Sequence, residues 1–377
     1  MLDIRFKMTA VTNVGLVRTN NEDNFIVNPD IASANWLVPK DSRTEIELGK
    51  YGCLMVVADG MGGMNAGEVA SDLAVNGIRK SFDEVKDFSK VIDSEGHIES
   101  FMKKAIVSAD NDIKRKVKED PSTSGMGTTI VMAWLLGNIV HIAWCGDSRA
   151  YLFNKRFGLT RLSRDHSYVQ ELVDSGKLDP ELAFDHPNSN IITRSLGDFP
   201  SPAKPDYMSR GVTTGDIILL CTDGLCGLVR DDEINSVLMS DADGLADYKV
   251  GLIDAALNAG GHDNVTIALL ECSHVEEPEL SQTVKPVEKG KKKKEEKPKE
   301  EINTSDDETE EEKSGTDKKK KDGKKKKGFL KWIIALLFIL AFVAGLLWAA
   351  SRMGWVKIDR NAPFIHFNKI EQTKPVE

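Results

Sequence analysis

Two aspartate–glycine steps stand at the ends of apolar runs. YGCLMVVADGMGG reaches Asp59-Gly60, and GDIILLCTDGLCG reaches Asp223-Gly224. A third acid, Asp263 of GGHDNVTIALLE, opens a further apolar run rich in β-branched residues. An aspartate at the tip of a buried strand adds little to packing. Aspartates from neighbouring tips can instead meet over a divalent cation, because hard ions such as Mg²⁺ and Mn²⁺ take oxygen ligands. Asp-Gly is also a hairpin signal. Neither copy, however, leads at two-residue spacing into a second alternating strand. Asp59 is followed by MGGMNAGEVASDLAVNGI, which reads as a glycine-rich loop and then a helix.

Positioning such acids requires strands, and the chain has many short ones. Apolar or alternating runs predict strands at Asn24–Val27, Gly52–Ala58, Thr128–Trp134, Ile139–Cys145, Ala150–Phe153, Ile217–Cys221 and Asn264–Leu270. Helical spacing predicts helices from Ala66 to about Phe82 and from Ile98 to about Lys118. In the second, Phe101, Ala105, Ile106, Ala109 and Ile113 share a face. Later helices fit Asp231–Leu238 and Leu245–Ala259, the last stopped by Gly260-Gly261. Blocks of strands followed by helices indicate an α+β domain with stacked sheets and outer helices.

Composition narrows the function classes. The five cysteines form no Cys-x-x-Cys pair, which argues against a zinc ribbon or dithiol redox site. Three of them, Cys53, Cys145 and Cys221, lie inside strand-like runs, as suits a reducing compartment. The chain carries a net charge of −9. Residues 281–328 contribute +4 and 329–377 contribute +3, so residues 1–280 carry −16. A globular part that acidic repels nucleic acid and attracts divalent cations where carboxylates converge.

The chain divides into four parts. Residues 1–275 form the patterned domain. Residues 276–328 are Lys/Glu blocks with almost no apolar residues, the composition of a disordered linker. Residues 329–350, FLKWIIALLFILAFVAGLLWAA, hold one charge, Lys331, and have tryptophans near both ends. At about 1.5 Å per residue this run spans a ~30 Å hydrocarbon core, which predicts a single transmembrane helix. Lys324–Lys327 just before it predict that the large domain is cytoplasmic. Residues 351–377 are then a short extracytoplasmic tail.

The strings GLVRTNNEDNF, VVADGMGGMNAGEVAS, SGMGTTIV, HIAWCGDSRAYL, LSRDHSYV, NIITRSLGD, LLCTDGL and GGHDNVTI occur in one order. That order resembles the metal-dependent protein serine/threonine phosphatases of the 2C type, in their bacterial form, over about residues 8 to 272. The resemblance implies an αββα sandwich, with two stacked antiparallel sheets flanked by helices. It implies two Mn²⁺ or Mg²⁺ ions at one edge. By similarity, Asp59 bridges both ions and Gly60 offers its carbonyl. Asp223 and Asp263 complete the first ion, Glu22 and Asp23 hold the second, and Arg18 binds phosphate. Asp147 of GDSR matches the site of a third, weaker ion. Gly227 departs from the family there, because many relatives carry an acid at that position. Met61 stands where some relatives carry a histidine.

Two ions close together neutralise a phosphomonoester dianion and turn a bridging water into hydroxide, so no Ser or Cys nucleophile is needed. The expected activity is hydrolysis of phosphoserine and phosphothreonine in proteins, opposing a serine/threonine kinase at the membrane. Its expected partners are phosphorylated proteins, among them the kinase or its substrates, and not nucleic acid. The alternative is a catalytically weak relative that binds phosphoproteins as a regulator or scaffold. Residues 164–205, rich in turn formers, match the flap beside the family's active site. His166, His186 and His262 are candidate proton donors, though each also fits a structural role.

Overall fold

A computed structural model describes residues 3–33, 35–62, 66–197, 201–276, 356–357 and 366–367. The strands are, in order, β1 (Ile4–Asn13), β2 (Asn24–Asn28), β3 (Ile46–Glu47), β4 (Cys53–Ala58), β5 (Gly60–Met61), β6 (Gly127–Thr128) and β7 (Ile130–Leu136). They continue with β8 (Ile139–Cys145), β9 (Arg149–Asn154), β10 (Gly158–Arg161), β11 (Leu196–Gly197), β12 (Asp206–Gly211), β13 (Ile217–Cys221) and β14 (Val265–Val275). The helices are α1 (Ala66–Asp83), α2 (Glu95–Glu119), α3 (Tyr168–Asp174), α4 (Asp223–Cys226), α5 (Asp231–Met239) and α6 (Leu245–Asn258).

A six-stranded sheet, β10-β9-β13-β14-β1-β3, stacks on a five-stranded sheet, β12-β8-β7-β4-β2, and all pairings are antiparallel. The alternation of β4 explains the layering. Cys53, Met55 and Val57 face the inter-sheet core, where they meet Phe6, Met8, Ile218, Leu220, Ala268 and Leu270. Leu54, Val56 and Ala58 face outward onto α1 and α2. Both faces of the strand are covered, so it reads as an unbroken apolar run. The other sheet buries Tyr151, Phe153, Leu219 and Ile267 under α4, α5 and α6. Among the described residues the architecture is therefore α+β, two antiparallel sheets with helices on both outer faces.

Helix α2 starts three residues before its predicted onset, because Ser94 caps it by accepting from the His97 amide. Strand β1 has no long apolar run and was not among the predicted strands. Its Ile4, Phe6, Met8 and Ala10 alternate with Arg5, Lys7 and Thr9, and it pairs with β14 from Ile4 to Asn13. Strand β12, with few apolar side chains, and helix α3, seven residues long with only Val169 buried, lie outside the predicted elements.

The predicted linker from 277 onward, the transmembrane helix 329–350 and most of the tail lie outside the described residues. Among the described residues no helix is long and apolar enough to cross a membrane. Within the tail, Val356–Lys357 pair antiparallel with His366–Phe367.

Candidate metal centre

Register brings the acids to one end of the sandwich. Asn24 pairs with Ala58, so Asp23 and Asp59 lie just beyond the same end of the β2–β4 pair. Cys221 pairs with both Ile267 and Arg149, and Asn13 pairs with Val265. Asp223, Asp263, Asp147 and the loop after Asn13 therefore cluster at the corresponding end of the other sheet. The Asp59–Gly60 step is held by the turn into β7: the Asp59 amide donates to the Thr129 hydroxyl at 3.1 Å, and the Thr128 hydroxyl donates to the Asp59 carbonyl at 2.8 Å. Gly60 is packed so closely that a Cβ there would lie 2.2 Å from the Gly67 carbonyl oxygen and 2.4 Å from that of Glu22.

The carboxyls act on one another. Burial, then the charge of Asp223, then that of Asp23, pushes the Asp59 carboxyl well above its ordinary range, and Asp59 and Asp223 share a hydrogen bond. Asp23 is raised first by burial, against hydrogen bonds from Thr266 and Thr222; the Thr222 hydroxyl donates to it at 2.9 Å. Asp147 is raised by burial, then by Asp223 and Asp165. Glu22 on the rim is raised by burial and lowered by Arg18. Arg18 donates to Asp263 at 2.7 Å, and that bond is the first cause holding its guanidinium charged.

These side chains suit a divalent cation. The donors are all oxygen, and several are buried acids facing one another with few cations to balance them. Buried carboxylates must be protonated, paired or bound to metal. As they stand, no three His, Cys, Asp or Glu side chains among the described residues form a closed cage. Asp59 and Asp223 engage each other, while Asp263 engages Arg18.

A cleft of about 450 Å³ adjoins this edge. Asp147, Asp223, Asp263 and His262 line its inner wall, and Val169, Glu181, Phe184, Ser189 and Asn190 of the 164–205 segment line its outer wall. Arg18, Glu22, Asp23 and Asp59 are not part of that lining. Gly227 is, and a Cβ there would come within 2.7 Å of the Asp223 carbonyl oxygen. His166 is buried between two partners: the Gly146 amide donates to Nδ1 at 3.1 Å, and Nε2 meets Asp206 at 3.0 Å. Burial lowers its pKa, and its role is to join the GDSR turn to β12. His186 accepts from the Asn188 amide at 3.1 Å, an equally local task.

Several polar residues of the site are not acids and stand out less in the sequence. Arg149 binds Asp165 with Nε and Nη2 and also reaches Tyr151, Asp231 and the Cys226 carbonyl. Thr222 links Asp23 to β14 by accepting from the Thr266 amide at 3.0 Å. Asn264 ties the Arg18 loop to Asp263. Each is adjacent to, or two residues from, an acid already singled out. That adjacency is the signal that could have found them.

Sheets, helices and acidic edge together define a class: an αββα sandwich with an all-oxygen site at one end. The family model for protein phosphatase 2C matches residues 17–265. The serine/threonine phosphatase stp of Listeria monocytogenes is 35% identical over 260 residues, covering 69% of this chain and 93% of that protein. The crystal structure of the serine/threonine phosphatase PstP/Ppp of Mycobacterium tuberculosis superposes with a TM-score of 0.58 at 32% identity, covering 72% of this chain and 100% of that one. A structure of the PstP catalytic domain in complex with two manganese ions gives a TM-score of 0.56 at 31% identity, covering 73% and 100%. The chain belongs to the protein phosphatase 2C family, and it is a protein phosphatase.

Proposed function

We propose that this chain hydrolyses phosphoserine and phosphothreonine in proteins, using two divalent ions at the acidic edge. The observation that carries the reading is the meeting of Asp23, Asp59, Asp147, Asp223 and Asp263 at one end of the sandwich, in a chain whose relatives are named serine/threonine phosphatases. The solved PstP domain with two manganese ions supports Mn²⁺ as one usable metal. When bound, the ions neutralise the phosphoryl group and acidify a water. Asp59 would hold both ions with the Gly60 carbonyl. Asp223 and Asp263 would complete the first, and Glu22 and Asp23 the second. Asp147 would serve a weaker third.

Arg18 orients the substrate by donating to phosphate oxygens, and a guanidinium suits two of them at once. Its contact with Asp263 aims it at the edge. Thr222 holds Asp23 in place, and Thr129 holds Asp59. The cleft outside Asp147 and Asp223 accepts polypeptide flanking the phosphorylated residue. In this reading residues 1–275 are the catalytic domain, 276–328 a linker, and 329–350 an anchor that keeps the domain on the cytoplasmic face of a membrane. Opposition to a serine/threonine kinase there follows from the same reading.

Release of phosphate from p-nitrophenyl phosphate and from a phosphothreonine peptide, with Mn²⁺ and with excess EDTA, tests the reaction. Full activity after exhaustive chelation would sink the two-ion reading. Recovery of the full chain in the soluble fraction of lysed cells would sink the anchor.

A further inference from the structure

Asn264 follows Asp263 and is 4% exposed. Its side chain makes three hydrogen bonds to the segment that carries Arg18 and Glu22. Oδ1 accepts from the Glu22 amide at 2.7 Å, and Nδ2 donates to the carbonyls of Val14 at 3.0 Å and Asn20 at 2.9 Å. One acceptor and two donors pointing opposite ways is the pattern of an amide. Neither a carboxylate nor a hydroxyl reproduces it. The Asn264 backbone also meets a third acid-bearing step, since a Cβ on Gly224 would lie 1.9 Å from the Asn264 carbonyl oxygen. Around the same contact, Gly15 sits so close that a Cβ would lie 2.2 Å from the Asp263 carbonyl oxygen, and the Leu16 amide donates to Gly261 at 2.7 Å.

We propose that Asn264 is a positioning residue that clasps the Arg18–Glu22–Asp23 segment to the Asp263 strand start and against the Asp223–Gly224 step. It acts through the Glu22 amide and two loop carbonyls rather than on substrate or ion. The geometry stands alone; the consequence for turnover rests on the phosphatase reading above. Removing the amide leaves one buried N–H and two carbonyls without this partner, so the segment loosens. That segment brings both the phosphate-binding arginine and the proposed ligands of one ion. Metal affinity and substrate KM should therefore worsen together.

The test uses the full chain with Asn264→Ala and Asn264→Asp. Asn154→Ala serves as a control that loses a 2.6 Å side-chain bond to Asp216 outside the site. Amide hydrogen exchange over residues 14–23 is followed without metal, Mn²⁺ affinity by calorimetry, and kcat and KM on a phosphopeptide. Asn264→Ala should speed exchange in that segment about tenfold, weaken Mn²⁺ affinity about tenfold, and raise KM more than it lowers kcat. Asn264→Asp should move all three the same way, and the control none. Unchanged exchange and Mn²⁺ affinity in a folded Asn264→Ala protein would overturn the proposal. So would loss of cooperative unfolding in both Asn264 variants, which would make the residue a requirement of the fold. A wild-type protein without Mn²⁺-dependent turnover would remove the phosphatase reading alone, and the exchange data would still decide on the clasp.

Discussion

Asp59 and Asp223 share a carboxyl hydrogen bond at the point where the two sheets end, and each feels further acids nearby. On the proposed two-ion reading, Asp59 would serve two ions and Asp147 a weaker one, so the two should respond differently to loss of charge. Asp59→Asn is expected to abolish measurable phosphatase turnover at any Mn²⁺ concentration. Asp147→Asn should cost about tenfold at low Mn²⁺ and recover as Mn²⁺ is raised. Steady-state rates across a Mn²⁺ titration separate the two, and equal severity would mean the ranking of the sites is wrong. His141 gives a residue-scale effect away from the edge. It is buried, faces Tyr207 at 2.7 Å and Glu95, and burial lowers its pKa to about 4. The unfolded chain therefore takes up this proton first. Stability from neutral His141 is present above about pH 6.5 and is lost as pH falls to about 4, a change on the order of 3 kcal/mol. Denaturant unfolding in EDTA should show wild type losing that much more than His141→Asn between pH 7 and pH 4. The buried acids titrate the opposite way, but they are present in both proteins and cancel.

The elements around the edge are joined by a few buried polar contacts. Asp110, near the middle of α2, is 1% exposed and accepts from the amides of Gly197 and Ala203 at 2.9 and 3.0 Å, with Lys114 at 2.8 Å. It pins the end of the 164–205 segment to the helix. Gly197 belongs to β11, which pairs with β6, and β6 pairs with β5 next to Asp59. One carboxylate thus fixes where the cleft's outer wall returns to the Asp59 side of the sandwich. Asp110→Ala leaves two buried N–H groups unpaired, so a loss of about 2–4 kcal/mol is expected. Activity on a phosphoprotein should fall more than activity on p-nitrophenyl phosphate, which needs little of the outer wall. Equal losses on both substrates, measured below the melting temperature, would separate Asp110 from the cleft.

At the scale of the whole molecule, the described residues up to Glu276 form one compact unit. The proposed anchor begins some 50 residues beyond its last described strand. Flexible-chain scaling of about 5–6 Å × √n gives a root-mean-square reach of roughly 40 Å. A tether of that length would concentrate the phosphatase on membrane-bound phosphoproteins. Deleting residues 329–377 should leave turnover of soluble phosphopeptides unchanged and slow dephosphorylation of membrane-anchored substrates in cells. Equal rates on both substrate classes, with and without the segment, would show that the tether does not direct specificity.

Read alone, the amino-acid order determined the elements whose burial leaves a local imprint. Strands covered on both faces, such as Cys53–Ala58 and Ile217–Cys221, appear as unbroken apolar runs, and α1 and α2 carry their core residues at helical spacing. The Asp-Gly steps and Asp263 stood out because charge at the end of such a run needs a reason. Strand β1 is legible in principle through its alternation, but Arg5 and Lys7 break it up so that it forms no apolar run. Only the tertiary structure decided which acids meet, because antiparallel register sets that, and register joins residues more than two hundred positions apart. It also decided that Arg18 faces Asp263, that His166 is a buried strut, and that the Asn264 side chain makes three bonds to the loop between β1 and β2. Neutral amides, hydroxyls and glycine contacts of this kind act over about 3 Å, between segments that no local pattern pairs.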